Sequence, residues 1–300
     1  MNFTNLPRKN KTYAGANGSK IAVVLDGKQY MLKFPAVPSI NKEMSYANGC
    51  ISEYLGSHLF EIAGIPVQET LLGTFTKNGK EKIVVACRDF TTYETVLQDF
   101  ASLKNTIIDS VHNGYGTELS DILTTIEEQQ AMDPHELKKR FWDMFIVDAL
   151  TGNWDRHNGN WGFLYNSRTD EIKLAPVYDC GSCLFPQADK RIMETVLQDP
   201  EEQKYRIYQI PLSAIRQDGK KINYFDFLSS LSDPDCNAAL KRICPKLEQE
   251  KIDALVEETP YITDLQKSFY KTMLRNRKEK ILNYALQRLR KRERRLEQER

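Results

Sequence analysis

NWDRHNGN, residues 153–160, is the stretch of this sequence that best indicates its fold. It follows an apolar helical pattern at 135–150 and precedes two short apolar runs, 161–165 and 172–177, which predict a hairpin. On its own, such a segment would be a solvated loop with asparagine turns. The order of its groups favours a site instead. A carboxylate, Asp155, is followed five residues later by an amide, Asn160, and a second carboxylate, Asp179, ends the next apolar run.

This order of groups is typical of phosphoryl transfer. The reaction needs a carboxylate that deprotonates the acceptor hydroxyl, and an amide and a carboxylate that hold Mg²⁺ on the phosphates. Asp155 and Asn160 have the D-x-x-x-x-N spacing of a kinase catalytic loop, and DCG at 179–181 takes the place of the D-F-G turn. The D-x-x-x-x-N spacing alone is weak evidence for a kinase. The succession of helix, loop, hairpin and Asp-x-Gly is much more specific for one. We therefore predict Asp155 as the catalytic base and Asn160 and Asp179 as metal ligands.

Towards the N-terminus, a small-residue loop, AGANGSK at 14–20, leads into a predicted hairpin. Its strands, 21–25 and 29–34, are joined by Asp26-Gly27, and the second strand carries Lys33. Glycines allow backbone N–H groups to approach phosphate oxygens, although the loop lacks both G-x-G-x-x-G and G-K-[ST]. The residues that we predict to line a nucleotide phosphate site are Gly15, Ala16, Asn17, Gly18, Ser19 and Lys33.

The remaining periodicities predict the architecture. A helical pattern covers 45–63, a second hairpin covers 69–87 across Asn78-Gly79, and the chain is mostly helical from about residue 91, above all over 190–300. We predict an α+β, bilobal, protein-kinase-like fold. It has a small β-rich N-lobe, residues 1–92, and a larger, mostly helical C-lobe, residues 93–300.

Composition sets few limits on function. With 41% hydrophobic and 28% charged residues, the chain of 300 residues is an ordinary globular protein. Residues 271–300 hold 12 basic and 4 acidic side chains, a net charge of +8. Such a segment could contact nucleic acid or acidic lipid, and the simpler interpretation is a solvated helix. No apolar window could span a membrane and no signal peptide begins the chain, so we expect a cytoplasmic protein, with export by another route left open.

Six scattered cysteines suit a reducing compartment. Cys180 and Cys183 form a C-x-x-C pair, but a zinc site would need two further ligands at a comparable spacing. A thioredoxin-like pair would open a helix after a strand, whereas LFP follows at 184–186. We therefore predict that both cysteines are structural and chemically dispensable.

The motifs together resemble a known family. The loop at 14–20, MLKFP at 31–35, N-x-D-R-H-x-x-N at 153–160 and APVYD at 175–179 are similar to those of the HipA-like serine/threonine kinases. The likeness is greatest to the short members, the cell-translocating kinase A proteins, and covers about residues 10–285. The resemblance implies an ATP- and Mg²⁺-dependent protein kinase that is capable of autophosphorylation on serine or threonine.

The resemblance also implies roles for single residues. Lys33 would contact the ATP phosphates and pair with Glu53, and His157 would brace the catalytic loop. Residues 86–90 would form the hinge that bonds adenine through its backbone, and the hinge residues singled out are Ala86, Arg88, Asp89 and Phe90.

The sequence departs from the family in two respects. Full-length HipA-like toxins carry an additional N-terminal subdomain that this sequence lacks, which makes an antitoxin or DNA partner doubtful. Their phosphate loop contains an autophosphorylated serine. Thr12 takes that position here and Ser19 is an extra hydroxyl, so the modified residue stays open between them.

Two other functions remain as alternatives. The chain could be a catalytically weak, kinase-like binding or scaffold module, although Lys33, Asp155, Asn160 and Asp179 are all present. It could also be a lipid or small-molecule kinase, since those enzymes share D-x-x-x-x-N chemistry. The sequence does not name the protein substrate, because specificity depends on loop shape.

Overall fold

The computed structural model of the chain describes residues 1–13, 19–35, 48–108 and 112–299. Gly15, Ala16, Asn17 and Gly18 of the predicted phosphate loop therefore lie outside the described residues. Ser19 lies inside them and is exposed.

The N-terminal part forms an antiparallel sheet. Within the described ranges its strands are β1 Arg8–Lys9, β2 Lys20–Leu25, β3 Lys28–Lys33, β4 Thr70–Lys77 and β5 Lys80–Arg88, in the spatial order β1-β2-β3-β5-β4. Both predicted hairpins are present. Asp26 and Gly27 adopt φ of 49° and 73°, and Asn78 and Gly79 adopt 53° and 72°. This left-handed backbone is the one that two-residue hairpin turns require.

A helix and two hydrophobic cores complete this lobe. Helix α1, Gly49–Ile62, buries Leu55 and Leu59 in the larger core, which continues into the helical lobe. Alternate residues of the sheet point to a separate, smaller core around Phe3, Leu32 and Val84. The helix predicted over 45–63 is thus present from residue 49, and residues 45–47 lie outside the described ranges.

The C-terminal part is mostly helical. Its helices are α2 Phe100–Ile107, α3 Leu119–Glu128, α4 Pro134–Thr151, α5 Lys190–Gln198, α6 Pro200–Tyr208, α7 Tyr224–Ser230, α8 Pro234–Ile243, α9 Gln249–Glu258, α10 Asp264–Arg277 and α11 Tyr284–Gln298. A 3₁₀ turn at Cys244–Lys246 precedes α9, and a π-helical stretch at Lys278–Asn283 joins α10 to α11.

A small sheet lies beside the predicted catalytic loop. Strands β6 Thr95–Asp99, β7 Gly162–Asn166 and β8 Glu171–Leu174 pair in that order, and a short ribbon of β9 Arg216–Gln217 and β10 Lys220–Lys221 lies elsewhere. The hairpin of β7 and β8 was predicted, although β8 ends three residues earlier than expected. Strand β6 was not predicted.

Helix α4 ends directly before the predicted catalytic loop. Asp133 caps its start by accepting from the N–H of His135, and Pro134 occupies the first turn, where no N–H is needed. Gly152 ends the helix at φ 63°, the left-handed conformation typical of helix C-termini.

The prediction of an α+β, bilobal, kinase-like fold is confirmed, and the boundary near residue 92 stays a prediction. Across the described residues, every helix is too short or too polar to cross a membrane.

Candidate active site

The loop at 153–160 is held by a buried ion pair. The guanidinium of Arg156 donates to the Asp148 carboxylate from Nε at 3.1 Å. Its Nη1 donates to the carbonyls of Asn160 at 2.8 Å and Tyr178 at 2.6 Å. Burial alone would lower the pKa of Arg156, but Asp148 outweighs burial and raises it well above its ordinary value. The Arg156 side chain therefore connects the end of the loop to the residue that precedes Asp179.

Asn153 fixes the start of the loop. Its amide donates to Asp148 Oδ1 at 2.9 Å, and its Oδ1 accepts from the backbone N–H of Asp155 at 3.1 Å. The hydroxyl of Tyr224, a buried residue of α7, donates to the Asn153 carbonyl at 2.6 Å. The backbone of the predicted base is thus anchored on buried groups of two helices.

The Asp155 side chain is partly exposed to solvent and has few polar groups near its carboxylate oxygens. It is 30% exposed, with Ser182 Oγ 3.5 Å from Oδ2 and His157 Nε2 4.0 Å from Oδ1. Burial raises the pKa of Asp155; His157 acts to lower it and Asp179 to raise it. A carboxylate with a raised pKa and free lone pairs is a better proton acceptor than an ordinary aspartate.

The predicted metal ligands Asn160 and Asp179 are both close to Arg156, which bonds the carbonyl of Asn160 and that of Tyr178, the residue before Asp179. The Asn160 amide donates to the Asp155 carbonyl at 2.8 Å, and no described group donates to its Oδ1. Asp179 has φ 57°, which is strained for a residue with a Cβ. Because the Lys33 ammonium lies beside it, the pKa of Asp179 is lowered although burial acts to raise it.

Lys33 joins the two lobes at this point. Its Nζ is 2.9 Å from Glu53 Oε2 and 2.9 Å from Asp179 Oδ1, so the expected pair with Glu53 is present. Glu53 is buried, and its second oxygen accepts from the N–H of Cys180 at 3.0 Å. Burial would lower the pKa of Lys33, but Asp179 and Glu53 outweigh burial and raise it well above its ordinary value. The ammonium is therefore charged at neutral pH.

Two loop residues hold the loop in shape. His157 Nδ1 accepts from the N–H of Gly159 at 3.0 Å, and its ring packs edge-on against Tyr115 at 6.3 Å. Asn158, which the sequence did not single out, is buried and donates to the carbonyls of Gly114 and Gly116, both at 2.8 Å. The signal available in the sequence was only its place inside the motif.

The predicted hinge has most of its backbone occupied. Ala86 pairs within the sheet on both sides, the N–H of Arg88 donates to the Glu69 carbonyl, and the N–H of Asp89 donates to the Gln29 carbonyl. Within the described ranges, the free backbone groups are the carbonyl of Asp89 and the N–H and carbonyl of Phe90.

The Asp89 side chain has a structural task. It accepts from Lys11 at 2.6 Å, Tyr13 at 2.8 Å and Gln29 at 2.6 Å. Burial acts to raise the pKa of Asp89, but these bonds and those from Thr91 outweigh it and lower the pKa to about 2. The carboxylate thereby fixes the residues that precede the predicted phosphate loop to the predicted hinge.

Cys180 and Cys183 are buried behind the Asp179 turn. Burial raises the pKa of Cys183 well above its ordinary value. A Cβ added to Gly56 of α1 would lie 2.8 Å from Cys180 Cβ and 3.2 Å from Cys183 Sγ, so helix and turn are in close contact. Among the described residues, no group of three or more His, Cys, Asp or Glu side chains could hold a metal ion.

Comparisons with known proteins identify the family. The profile of the HipA-like C-terminal domain matches residues 11–259. The serine/threonine-protein kinase CtkA of Helicobacter pylori is 49% identical over 276 residues, which are 92% of this chain and 84% of that protein. The crystal structure of the H. pylori proinflammatory kinase CtkA superposes with a TM-score of 0.91 at 48% identity, covering 97% of this chain and 98% of that one.

A more distant solved structure shares the fold. HipA of Shewanella oneidensis, solved with HipB and operator DNA, superposes with a TM-score of 0.57 at 16% identity over 93% of this chain and 66% of that one. The similarity to CtkA gives the enzyme class, a serine/threonine-protein kinase. The chain belongs to the HipA-like family.

Proposed function

We propose that this kinase transfers the γ-phosphoryl group of Mg²⁺–ATP to a serine or threonine hydroxyl of a protein, with Asp155 as the catalytic base. One observation supports this most. Lys33 contacts both Glu53 and Asp179, so the strand, the helix and the Asp-x-Gly turn of a kinase site meet at one charged group. That junction is the one on which phosphoryl transfer in kinases depends.

The residues fit a magnesium ion bound through phosphate. Mg²⁺ takes oxygen ligands and commonly uses one or two side chains together with phosphates and water. Asp179 offers a carboxylate of lowered pKa, and Asn160 offers an Oδ1 to which no described residue donates. When bound, the ion would neutralise charge on the β- and γ-phosphates. Lys33 would then exchange part of its contact with Asp179 for the phosphates.

ATP binding would use two further segments. Lys20 pairs with Lys33 in the register of β2 and β3, and the N–H of Phe34 donates to the Ser19 carbonyl at 3.1 Å. Ser19 therefore enters the strand that pairs with the Lys33 strand, and the predicted phosphate loop precedes this strand in the sequence. Adenine would bond the free backbone groups of Asp89 and Phe90.

Asp155 would act on the acceptor hydroxyl. Its raised pKa and free oxygens suit proton acceptance, while His157 and Asn153 hold its backbone and surroundings. Arg156 would keep the base and the metal ligands in register without touching the substrate.

The chain's own hydroxyls are further candidate acceptors. Thr12 precedes the predicted phosphate loop, Ser19 lies within it, and both are exposed. A phosphate on either would add about −1.5 to −2 charges beside the site for ATP's phosphates. We expect this modification to lower ATP affinity and to switch the kinase off.

The test is incubation with γ-labelled ATP and Mg²⁺, with a mixture of peptides and phosphoinositide vesicles as acceptors. We expect label on serine or threonine of protein, abolished by EDTA, with some at Thr12 or Ser19. Label confined to lipid would identify a lipid kinase. Nucleotide binding without transfer to any acceptor would favour the scaffold function.

A further inference from the structure

Helix α11 has an unusual charge. It carries six arginine or lysine residues and two glutamates. Some of these charged side chains have partners within the protein. Arg292 donates to the Leu231 carbonyl at 3.1 Å, and Arg295 pairs with Glu299 at 2.8 Å. Glu293 pairs with Lys241 at 2.7 Å.

Four cations on this helix have no such partner, and one of them, Arg288, lies over the Tyr284 ring with its Cζ 5.9 Å from the ring centroid. Arg290, Lys291 and Arg294, here called the basic stripe, are exposed, and no carboxylate of the described chain lies within 4.0 Å of them. Residues four apart lie on one helix face, about 6 Å apart along the axis. The stripe lines a shallow groove of about 630 Å³. An uncompensated charge of this density attracts a polyanion.

Aromatic rings continue the same surface. Tyr284 is 41% exposed and stacks on Phe225 with ring centroids 5.6 Å apart, and Tyr208 packs on Phe225 at 4.8 Å. We call these three rings the aromatic ledge. Together with Asp226, Glu279 and Lys280 they line a groove of about 670 Å³, which shares Gln287 with the groove of the basic stripe. The ledge and the stripe therefore form one continuous surface.

We propose that this surface binds single-stranded nucleic acid, with phosphates on the basic stripe and an unpaired base on Tyr284. Stacking rings beside a positively charged track are the combination that such strands require. A lipid surface fits less well, because an interfacial helix needs an apolar face. On α11 the exposed large apolar side chains of the described structure are Tyr284 and Leu296 alone. The proposal does not depend on the phosphoryl-transfer mechanism.

The test is fluorescence anisotropy with labelled oligothymidylate and oligouridylate at several salt concentrations. Three phosphate contacts predict that the logarithm of the association constant falls with that of salt with a slope of about −2. Reversing the charge of the basic stripe with Arg290→Glu, Lys291→Glu and Arg294→Glu should weaken binding by at least about tenfold. Tyr284→Ala should weaken it about tenfold through lost stacking.

The matched control reverses three exposed lysines at the far β4–β5 hairpin, Lys77→Glu, Lys80→Glu and Lys82→Glu. It changes the net charge equally and should bind as the wild type does. Kinase activity should be unchanged in all variants, and thermal unfolding should be unchanged in the two charge-reversal variants. Equal loss in the hairpin control, undiminished binding in the stripe or Tyr284 variants, or equally tight binding of a duplex would overturn the proposal. Binding to phosphatidylserine vesicles but not to oligonucleotides would also overturn it.

Discussion

At the scale of the residue, Arg156 positions groups of the candidate active site although it has no proposed contact with the substrate. It bonds Asp148 and the carbonyls of Asn160 and Tyr178, so it fixes both predicted metal ligands relative to each other. The planar fork of arginine can make these bonds together, whereas the single ammonium of lysine cannot.

We therefore expect Arg156→Lys to fold but to lose kcat by at least tenfold, with a smaller change in KM for ATP. Arg156→Met should unfold more easily by about 3–5 kcal/mol, because Asp148 would be left buried and unpaired. Steady-state kinetics and denaturant unfolding measure both effects. Arg168→Lys, at an exposed turn, is the control, and a wild-type kcat in Arg156→Lys would refute the positioning role.

The pH dependence of catalysis should depend on His157. The pKa of Asp155 is raised by burial, so the carboxylate takes up its proton at a higher pH than an ordinary aspartate and the base is lost as pH falls through that value. His157 acts to lower this pKa. His157→Gln should therefore move the acid limb of the kcat profile to higher pH.

The profile is measured at saturating Mg²⁺–ATP, with His135→Gln on the exposed start of α4 as the control. An unchanged acid limb, or a shift to lower pH, would show that the limb does not report Asp155.

At the scale of the element, helix α1 and the Asp179 turn work as a unit. Glu53 on this helix accepts from the N–H of Cys180 and pairs with Lys33, and Gly56, one turn later, lets Cys180 pack against the helix. Gly56→Ala adds a Cβ 2.8 Å from Cys180 Cβ, closer than real Cβ atoms approach. Since backbone on both sides resists, the turn must shift.

We expect Gly56→Ala to lower kcat several-fold and to cost about 1–3 kcal/mol of stability, despite alanine's better helix propensity. Gly49→Ala in the same helix meets nothing within 4 Å and should be neutral or stabilising. Activity assays and thermal unfolding of the two variants make the comparison. Equal behaviour of both would contradict the proposed coupling.

At the scale of the whole molecule, Arg277 joins helices that are distant in the chain. It is 1% exposed and donates to the carbonyls of Ala149 at 2.9 Å and Arg206 at 2.9 Å, near the ends of α4 and α6. Burial lowers the pKa of Arg277 to about 10, so it still carries its charge at neutral pH.

Arg277→Met should therefore cost at least about 3 kcal/mol, because several buried carbonyls lose a charged donor. Arg275→Met, on the same helix but 54% exposed, is the matched control and should change stability little. Chemical denaturation gives both values, and similar losses would mean that Arg277 does not organise the helical lobe.

Local signals in the sequence predicted much of this fold. Asp26-Gly27 and Asn78-Gly79 indicate hairpins because few other residues adopt left-handed turns, and Asp133-Pro134 with Gly152 marks both ends of α4. Strand β6 was missed because TVLQD has no clear alternation and its partner β7 lies more than sixty residues away.

The candidate site was predicted only in part, and the roles of its residues stay predictions. The spacing of Asp155, Asn160 and Asp179 predicts their proximity to a common reaction centre. The buried partner of Arg156 was not predicted, because Asp148 lies on an otherwise apolar helix where no periodicity distinguishes a paired carboxylate. An aspartate eight residues before an arginine of the motif was the only signal.

The most direct test of the central claim is the single-turnover rate of phosphoryl transfer in Asp155→Asn. Asparagine keeps the shape of the side chain but cannot accept the proton, so the rate should fall about 10²–10⁴-fold with an unchanged melting temperature. Asp170→Asn is the control, because Asp170 occupies a left-handed turn that asparagine tolerates; it should react as the wild type does. Transfer by Asp155→Asn at the rate of this control would contradict the assignment of Asp155 as the base.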